Sequence, residues 1–309
     1  MKKIYFITYH YIRPIKKSKY PNLKGMELKK FQSQLNKLRK IYKILNINDL
    51  IEIFKNKKNL KKTSCVLTFD DGYKDNFKYV FPELKKRNIM GFFFPSVSST
   101  ENKSILNVNK IQFILEKEKS RIKILESILP HLNLKLKNKI NTLKKNFKHN
   151  HPYDDKNTSF IKFILQSNLL GKKKQKVIDF LFKKLVATNK ITFSKKLYLS
   201  KNEIIVMHKN GMYFGCHGTN HLRLNEISKK QMKFEINNNI KFLKKIGVFN
   251  KNWIMCYPHG CYNKSILDFL FKKNCFLGLT TKKGFERSNN FNPLKIKRID
   301  CNEVDGILN

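Results

Sequence analysis

The chain alternates short apolar runs with longer stretches in which apolar residues recur at helical spacing. We predict strands in the runs rich in β-branched and aromatic residues: Ile4–Tyr9, Cys65–Phe69, Met90–Pro95, Met212–Cys216, Trp253–Tyr257, Phe276–Thr280 and Leu294–Ile299. We predict helices where apolar positions recur every three or four residues: Leu28–Tyr42, Val80–Arg87, Lys229–Ile246 and Lys264–Lys273. Strands that alternate with helices are typical of βα units around a parallel sheet.

Polar side chains at three predicted helix starts can cap a helix. Ser200 precedes Glu203 by three residues, and Ser228 precedes Gln231, which is the spacing of a capping box. We also expect Asp75 to cap the helix that follows it, because a carboxylate accepts hydrogen bonds from free backbone N–H groups.

The stretch 104–199 differs from the chain on either side of it. It is rich in Lys, Leu and Ile at helical spacing and contains no convincing strand. We therefore predict one barrel-like α/β domain formed by residues 1–103 and 200–309. A mainly helical insertion at 104–199 interrupts it and would serve as a lid or as a dimer surface, through which the chain could form an oligomer.

The chain is strongly basic, with 65 Lys and Arg against 22 Asp and Glu and a formal net charge of +43. Such a charge attracts polyanions, because basic side chains displace counterions from phosphate backbones. Only seven of these residues are Arg, the side chain that base readout and bidentate phosphate contacts favour. We predict a lysine-coated surface with no specific nucleic-acid partner, which would attract phosphorylated substrates and make peripheral contact with an anionic membrane.

Neither the cysteines nor the first residues indicate an exported protein. The six cysteines form no CxxC pair and no regular framework, which favours reduced thiols. The first apolar run is short, contains His10 and reaches Arg13 without a small-residue cleavage site. No run approaches the roughly twenty apolar residues of a membrane span. We expect a cytoplasmic protein.

The clearest chemical signal is the segment Leu67–Tyr73, where an apolar strand runs into Asp70, Asp71 and Gly72. At the carboxyl end of a barrel strand, side chains face the mouth where active sites form, and glycine permits a sharp turn. Adjacent carboxylates repel each other unless a cation or a proton lies between them, so the pair indicates a metal together with acid–base chemistry. A turn with a helix cap would use the same residues.

A second predicted strand ends in polar residues within Phe214–His221. The HxxxH spacing can bring the imidazoles of His217 and His221 within reach of one ion, although this spacing also occurs without a metal. Two imidazoles and one carboxylate suit Zn²⁺ and also accept Co²⁺, Ni²⁺ or Fe²⁺.

Together these segments resemble the motifs of a known family. TFDDG followed far downstream by HxxxH is similar to the NodB-homology polysaccharide deacetylases, carbohydrate esterase family 4. A third segment, Tyr257–Gly260, resembles the family's PYG motif, which forms one wall of the substrate groove. Further segments resemble a bacterial subgroup with a helical insertion: Thr8–Pro14, Val108–Lys110 and Arg298–Asn302. The resemblance implies an α/β fold, a distorted (β/α)7 barrel with one divalent metal, most often zinc, at its mouth.

Carried over by position, the resemblance assigns Asp70 as general base and Asp71, His217 and His221 as metal ligands. It also implies a backbone N–H near His259 for the oxyanion of the reaction. The positions expected to contact substrate are Tyr73, Tyr257, Pro258 and Gly260. Thr219 and Asn220 would line the pocket, support the ligands or cap a helix.

Two departures from the family pattern leave the general acid open. The arginine that often begins the third motif, where it pairs with the base, is replaced by Cys256, and the stretch that matches the fifth motif contains no histidine. His10 is the first candidate for the acid, because it ends the first predicted strand and would face the same mouth. His259 is the second candidate and Asp300 the third.

The resulting hypothesis is a metal-dependent hydrolase that removes an acetyl or formyl group from the nitrogen of a sugar. The sugar would be a precursor of a surface polysaccharide, linked to a nucleotide or a lipid. Two alternatives stay open. The motifs specify the reaction centre better than the substrate, so a hydrolase of non-sugar amides also fits them, and the unassigned acid also fits a catalytically silent barrel that binds glycan.

Overall fold

A computed structural model of the chain describes residues 2–101, 103–149, 154–167, 169–288 and 291–308. It divides into two compact units. The barrel unit comprises Met1–Ile15, Gly25–Ser104 and Ser194–Asn309, and the helical unit comprises Lys16–Lys24 and Ile105–Phe193. The sequence analysis did not anticipate that Lys16–Lys24 belongs with the helices. That residues 104–199 form an insertion which serves as a lid or as a dimer surface stays a prediction.

The barrel unit is built on a curled parallel sheet. The strands of the chain are β1 (Ile4–Tyr9), β2 (Ile12–Arg13), β3 (Met26–Glu27), β4 (Lys43–Ile44), β5 (Ser64–Asp71), β6 (Phe92–Pro95), β7 (Tyr213–Phe214), β8 (Ile254–Cys256), β9 (Leu277–Lys283) and β10 (Ile296–Asp300). The order in the main sheet is β7-β6-β5-β1-β10-β9-β8, with β4 against β5, while β2 and β3 form a separate pair.

The two ends of this sheet meet. Just after β7, the N–H of Cys216 donates to the carbonyl of Ile254 at 2.9 Å, and the N–H of Cys256 donates to the carbonyl of Cys216 at 2.8 Å. Since every paired neighbour in the main sheet is parallel, the carboxyl ends of the strands converge at one edge. The prediction of a distorted α/β barrel is confirmed.

Helices connect the strands of the barrel unit. They are α1 (Leu28–Ile41), α2 (Ile47–Phe54), α3 (Phe81–Lys86), α4 (Val97–Thr100), α11 (Lys201–Lys209), α12 (Lys229–Lys245) and α13 (Lys264–Lys272). Those of the helical unit are α5 (Asn107–Lys117), α6 (Arg121–Ile128), α7 (Leu134–Asn146), α8 (Lys156–Gln166) and α9 (Lys174–Leu185). Helix α10 (Lys190–Leu197) begins in the helical unit and ends in the barrel unit. Within the described residues, no helix has both the length and the apolar character needed to cross a membrane.

Strand alternation divides the apolar core of the barrel unit into two layers. Inward-facing residues of the strands, such as Phe6, Val66 and Phe94, pack with α2, which lies at the amino ends of the strands. Outward-facing residues, such as Ile7 and Leu67, pack beneath the surrounding helices. Burial on both faces explains why the strands read as nearly continuous apolar runs.

The predicted helix starts have mixed outcomes. Ser200 and Glu203 form a reciprocal capping box, and Ser228 accepts a hydrogen bond from the N–H of Gln231. The prediction for Asp75 is wrong. Its carboxylate makes no cap bond and instead pairs with Arg13, whose Nε lies 2.6 Å from Oδ2.

Ion pairs, some of them with a buried partner, connect the segments of the helical unit. Lys110 of α5 lies 2.7 Å from Asp179 of α9, which also contacts Lys190 of α10 at 3.0 Å. Asp154, whose side chain is fully buried, pairs with Lys24 and Lys162 at 2.6 Å each. Buried carboxylates need such partners, since an unpaired charge in the interior is costly.

Candidate metal and catalytic site

The carboxyl ends of the strands carry a polar layer above the apolar interior of the barrel. Thr8 of β1, Thr68 of β5 and Thr280 of β9 are buried there. The Thr68 and Thr280 hydroxyls donate to backbone carbonyls at 2.8 and 2.9 Å, and the Thr8 hydroxyl lies 3.4 Å from Asp70 Oδ2. This layer makes a polar floor for the residues that the sequence singled out.

Asp70 is held by an arginine from β10, which is separated from β5 only by β1. Arg298 of β10 donates through Nη1 to Asp70 Oδ1 at 3.0 Å, and its Nη2 lies 2.8 Å from Oδ2. Its Nε donates to the carbonyl of Thr280 at 2.8 Å, which fixes the guanidinium plane. Burial opposes ionisation of Asp70, but Arg298 outweighs this and lowers the pKa of the carboxyl to about 2.

Asp71 reaches the same mouth because its backbone departs from the strand pattern. Alternation along a strand would turn neighbouring side chains to opposite faces. Asp71 has a φ of +66° and Gly72 a φ of +68°, so the chain turns at this point. The hydroxyl of Tyr73 donates to Asp71 Oδ2, which leaves Oδ1 free to face the histidines.

His217 and His221 converge on Asp71. The Nε2 atoms of both rings lie 3.3 Å from Asp71 Oδ1, and the ring centroids lie 4.8 Å apart. The Nδ1 of His217 lies 2.8 Å from the carbonyl of Cys256, to which it donates. A donor at Nδ1 leaves a lone pair on Nε2, as a metal ligand requires.

This donor set fits a divalent cation. Ligands at about 2.0–2.1 Å from a tetrahedral zinc ion lie about 3.3 Å from one another, which is the observed Asp71–histidine separation. A second group of potential ligand atoms, from Asp70, His217 and Cys256, also lies within 4.8 Å. The positive charge of Arg298 at both oxygens of Asp70 disfavours a cation there, although each oxygen keeps a second lone pair, so the first group is the better metal site.

The protonation of this cluster also fits a bound cation. Burial lowers the pKa of both histidines, and that of His221 stays well below its usual value. Cys256 and Asp71 reverse the shift at His217 and raise its pKa well above the usual value. The directions of these shifts place a proton on His217 and leave His221 neutral, and a divalent cation bound here would displace that proton.

Helix α12 supports the loop that joins the two histidines. The fully buried carboxylate of Glu235 accepts hydrogen bonds from the backbone N–H groups of Thr219 and Asn220 at 2.9 and 2.7 Å, and from the Asn220 side-chain amide at 2.7 Å. One turn further, Asn239 Oδ1 accepts from the N–H of His217 at 2.7 Å. Thr219 and Asn220 therefore belong to the support of the ligands.

The turn after β8 brings His259 beside the cluster. Its ring centroid lies 4.5 Å from that of His221, and its φ is +56°. Burial and the nearby Arg223 lower the pKa of His259 to about 4. Gly260 follows with a φ of +67°, where a Cβ would clash with Thr281.

His10 lies at the mouth on the Asp70 side. Its side chain is 46% exposed, and Nε2 lies 4.0 Å from Asp70 Oδ2. Asp300, the third candidate acid, instead caps the following turn, since its Oδ1 accepts from the backbone N–H and the side-chain amide of Asn302 at 2.8 Å each.

Comparison with known proteins identifies the family. A sequence model of the family described as "Polysaccharide deacetylase" matches residues 57–121 and 152–274, more than half of the chain. The chain belongs to the polysaccharide deacetylase family. It is therefore a hydrolase of the class that acts on the C–N bond of acylated sugars.

Solved structures of other deacetylases share the fold. The Streptococcus pyogenes deacetylase PplD, in complex with acetate, is 18% identical with a TM-score of 0.59, over 96% of this chain and 92% of that one. IcaB from Ammonifex degensii is 13% identical with a TM-score of 0.58, over 100% and 96% of the two chains. The BpsB deacetylase domain from Bordetella bronchiseptica is 11% identical with a TM-score of 0.54, over 96% and 95%. No curated protein matched the chain.

In this polysaccharide deacetylase, the structure brings together the residues predicted for base and metal. Asp70, Asp71, His217, His221 and His259 lie in one cluster, and their assigned roles stay predictions. Four residues were predicted to contact substrate: Tyr73, Tyr257, Pro258 and Gly260. Those roles also stay predictions, and the structure gives two of these residues a positioning contact. Tyr73 is buried and donates to Asp71, and Tyr257 is buried and donates to the carbonyl of Leu294 at 2.9 Å.

Sequence reasoning missed three residues that organise the site of this deacetylase. Arg298 was noted only as a neighbour of Asp300, although an arginine on the inward face of a buried strand demands an acidic partner. Glu235 and Asn239 were not singled out. Their signal is their position on the buried stripe of α12, among Met232, Ile236 and Leu243.

Proposed function

We propose that this chain is a metal-dependent N-deacylase, which removes an acetyl or formyl group from an amino sugar in a precursor of a surface polysaccharide. One observation carries the proposal. Three donor atoms, from Asp71, His217 and His221, converge at the separation that a divalent cation requires, beside an ionised Asp70.

Asp71, His217 and His221 would hold one divalent ion, with zinc as the first candidate and cobalt, nickel or iron as the others. When bound, such an ion polarises the acyl carbonyl and lowers the pKa of water toward about 7. The remaining coordination positions, which no side chain of this set fills, suit water and substrate.

Asp70 serves as general base. Arg298 keeps the carboxylate ionised and fixes its orientation, so one oxygen can take a proton while water attacks the acyl carbon. Negative charge then develops on the acyl oxygen, and a backbone N–H near His259 would stabilise it. The ring centroids of His259 and His221 lie 4.5 Å apart, which supports this role for the turn at His259.

His10 is the proposed general acid. It is half-exposed at the mouth and lies near Asp70, where it can reach the nitrogen that leaves the acyl carbon. As the C–N bond breaks, that nitrogen takes a proton from His10 and the acyl group leaves as a carboxylic acid. His259 is the second candidate, but its lowered pKa leaves it neutral near pH 7 and short of a proton to give.

The substrate proposal rests on the family and on the charge of the chain. A related deacetylase was solved with acetate, and a similar structure, from Aggregatibacter actinomycetemcomitans, is described as a de-N-acetylase, so acetyl is the first acyl group to test. A net charge of +43 favours precursors carried on a nucleotide or on a lipid phosphate. The proposed location is the cytoplasm, and the proposed role of the helical insertion is a lid or a dimer surface.

One alternative loses support from the geometry. A catalytically silent barrel that binds glycan needs neither a complete set of metal ligands nor a charged base. This chain has both, in Asp71, His217 and His221 and in the neighbouring Asp70. A hydrolase of non-sugar amides would use the same centre, and only substrate profiling separates it from the sugar deacylase.

The test is release of free amine from a panel of N-acetylated and N-formylated sugar nucleotides, lipid-linked sugars and oligosaccharides. Asp70→Asn should lower kcat/KM by about 10²- to 10⁴-fold, because a positioned base contributes that much. The metal content of Asp70→Asn should match that of the wild type. His217→Ala should lose both turnover and metal.

Matched controls come from residues of the same type outside the site. Asp268 and His149 are exposed, and Asp268→Asn and His149→Ala should retain both turnover and metal. Turnover that survives in Asp70→Asn or His217→Ala would contradict the mechanism. Amine release from simple amides but from no sugar would favour the alternative enzyme.

A further inference from the structure

Five of the connections that enter strands of the barrel unit are basic. Because the strands are parallel, segments that lead from a helix into a strand lie at the amino edge of the sheet, opposite the catalytic mouth. Five such segments, each counted from the last two residues of the helix, are 53–63, 85–91, 208–212, 244–253 and 271–276. They contain fourteen Lys and Arg residues and no Asp or Glu.

These fourteen residues form what we call the basic edge. They are Lys55, Lys57, Lys58, Lys61, Lys62, Lys85, Lys86, Arg87, Lys209, Lys244, Lys245, Lys251, Lys272 and Lys273. All except Arg87 are exposed.

The opposite edge of the same barrel is much less basic. Three connections that leave strands there, each counted to the second residue of the next helix, are 72–77, 215–230 and 257–265. Together they contain two acidic residues, Asp75 and Glu226, and five basic ones: Lys74, Arg223, Lys229, Lys230 and Lys264. The lysine coat of the barrel unit is therefore uneven, and its excess lies at the edge away from the site.

Few carboxylates neutralise the basic edge. Lys58 lies 3.4 Å from Glu52, Lys245 lies 3.2 Å from Glu101, and Arg87 pairs with Glu83. Across the ranges that the structure describes, no carboxylate pairs with the other members of the set. Such a concentration of unpaired charge costs folding energy through self-repulsion, which an anionic partner would relieve.

Exposed apolar side chains accompany the lysines. Phe271 is 77% exposed and is followed directly by Lys272 and Lys273 at the end of α13. Ile41, which is 38% exposed, ends α1 just before β4, and β4 pairs with the first residues of β5 at this same edge. Exposed apolar residues among lysines are typical of protein surfaces that rest on a lipid headgroup layer.

We propose that the basic edge docks this enzyme on an anionic lipid surface, with the catalytic mouth directed away from the lipid. A lysine-rich surface is better suited to lipid headgroups than to nucleic acid. Arg87 is the one arginine of the basic edge, and arginine supplies the bidentate fork that phosphate backbones and bases favour. In this orientation the enzyme takes its substrate from the aqueous side, which favours a nucleotide-linked sugar over a lipid-linked one. The proposal goes beyond the proposed function and does not depend on which acyl group is cleaved.

The test is flotation of the full-length protein with lipid vesicles. The wild type should float with vesicles of phosphatidylcholine and phosphatidylglycerol at about 0.15 M ionic strength, and not with phosphatidylcholine alone. Binding should weaken as salt is raised, because screening weakens attraction between exposed charges. This salt series needs no substitution, so it tests the charge dependence without any effect on folding.

Two triple variants locate the surface. Lys57→Gln, Lys61→Gln and Lys62→Gln together remove charge from the basic edge and should weaken vesicle binding at least about tenfold, given the gain per lysine near a membrane. The matched triple is Lys229→Gln, Lys230→Gln and Lys264→Gln, at the starts of α12 and α13 on the mouth side. It should bind within about twofold of the wild type, since those lysines would face away from the lipid. Thermal unfolding checks that both triples fold.

Each other outcome would overturn the proposal. Failure of the wild type to float with phosphatidylglycerol vesicles removes the lipid partner, and equal loss in both triples means that the charge acts diffusely. Flotation with phosphatidylcholine alone would show that apolar contact is enough. Tighter binding to duplex DNA than to vesicles, lost in the basic-edge triple, would assign this edge to nucleic acid.

Discussion

At the scale of single residues, the ionised state of Asp70 depends on Arg298. The two side chains are 4% and 2% exposed, so each charge has the other as its main compensation. Cys256 takes the position at which the resemblance to the family implies an arginine, and it is one of the groups that raise the pKa of Arg298. A second guanidinium at position 256 would repel Arg298, so β10 supplies in this chain the arginine that the third motif lacks.

Replacing Arg298 by alanine should destabilise the protein by about 3–5 kcal/mol, because it leaves a buried carboxylate without its partner. The double variant Arg298→Met with Asp70→Asn should lose much less, since it removes both charges together. Denaturant unfolding measures the difference. Lys297→Ala, an exposed neighbour on the same strand, should change stability by less than about 0.5 kcal/mol. Equal losses in the single and double variants would show that the pair is not the cause.

Tyr73 acts on the metal site through Asp71 and is a positioning residue. Tyr73→Phe removes the hydrogen bond to Asp71 Oδ2 and should weaken metal affinity about 10- to 100-fold, as loss of a ligand's supporting partner does. Competition with a chromogenic chelator measures this affinity.

The matched control for Tyr73 is Tyr257→Phe. It removes a buried hydroxyl bond of similar kind, to the carbonyl of Leu294, but contacts no ligand. Both variants should lose about 1 kcal/mol of stability, and only Tyr73→Phe should lose metal affinity. Similar metal affinity in the two variants would show that Tyr73 stabilises the fold but does not position Asp71 for the metal.

At the scale of elements, α12 fixes the geometry of the HxxxH loop. His217 and His221 are not one turn apart on a helix, because Gly218 and His221 have φ values of +73° and +55°. The loop keeps this shape because Glu235 accepts hydrogen bonds from three of its N–H groups and Asn239 accepts one more. The relative position of two ligands is thus decided by a helix that begins after them.

Glu235→Gln should disturb this loop strongly, although glutamine has nearly the same size and shape as glutamate. The amide places donors where the carboxylate accepted, so one or more buried N–H groups lose their partner at about 1–3 kcal/mol each. We expect that loss in denaturant unfolding, together with weaker metal binding. Glu226→Gln, a half-exposed acid just before α12, should stay within about 0.5 kcal/mol of the wild type. A Glu235→Gln variant with unchanged metal affinity would contradict the supporting role of α12.

At the scale of the whole molecule, the proposed metal belongs to one of two units. All three ligands lie in the barrel unit, and the helical unit has its own core and its own ion pairs. A ligand that binds only the folded state stabilises the part of the chain whose folding creates its site.

Zinc should therefore stabilise the two units unequally. At a free concentration of about 100 times its Kd, the gain is about 2.7 kcal/mol. In hydrogen exchange, amides of β5, the 217–221 loop and α12 should gain protection, while those of α5 and α9 stay unchanged. Equal gains in both units would show that they unfold together, and no gain anywhere would remove the metal from the proposal.

The local pattern of the chain was enough to predict seven strands of the main sheet, four helices of the barrel unit and the candidate reacting groups. Runs such as Ile4–Tyr9 predicted strands because apolar β-branched and aromatic residues favour buried sheet whatever lies around them. TFDDG and HxxxH predicted the carboxylates and imidazoles because coordination and base chemistry limit the residue types that can perform them.

Tertiary structure decided which groups meet and which partners support them. Arg298 and Asp70 are 228 positions apart, and Asp75 pairs with Arg13 rather than capping its helix, because closure of the sheet sets those neighbours. The hydrogen bonds from the 217–221 loop to Glu235, and the position of the basic edge on one side of the barrel, also depend on how the sheet closes. A sequence specifies local preference and chemistry, whereas long-range pairing and the edge on which a charge lies depend on how parallel strands are ordered around the barrel.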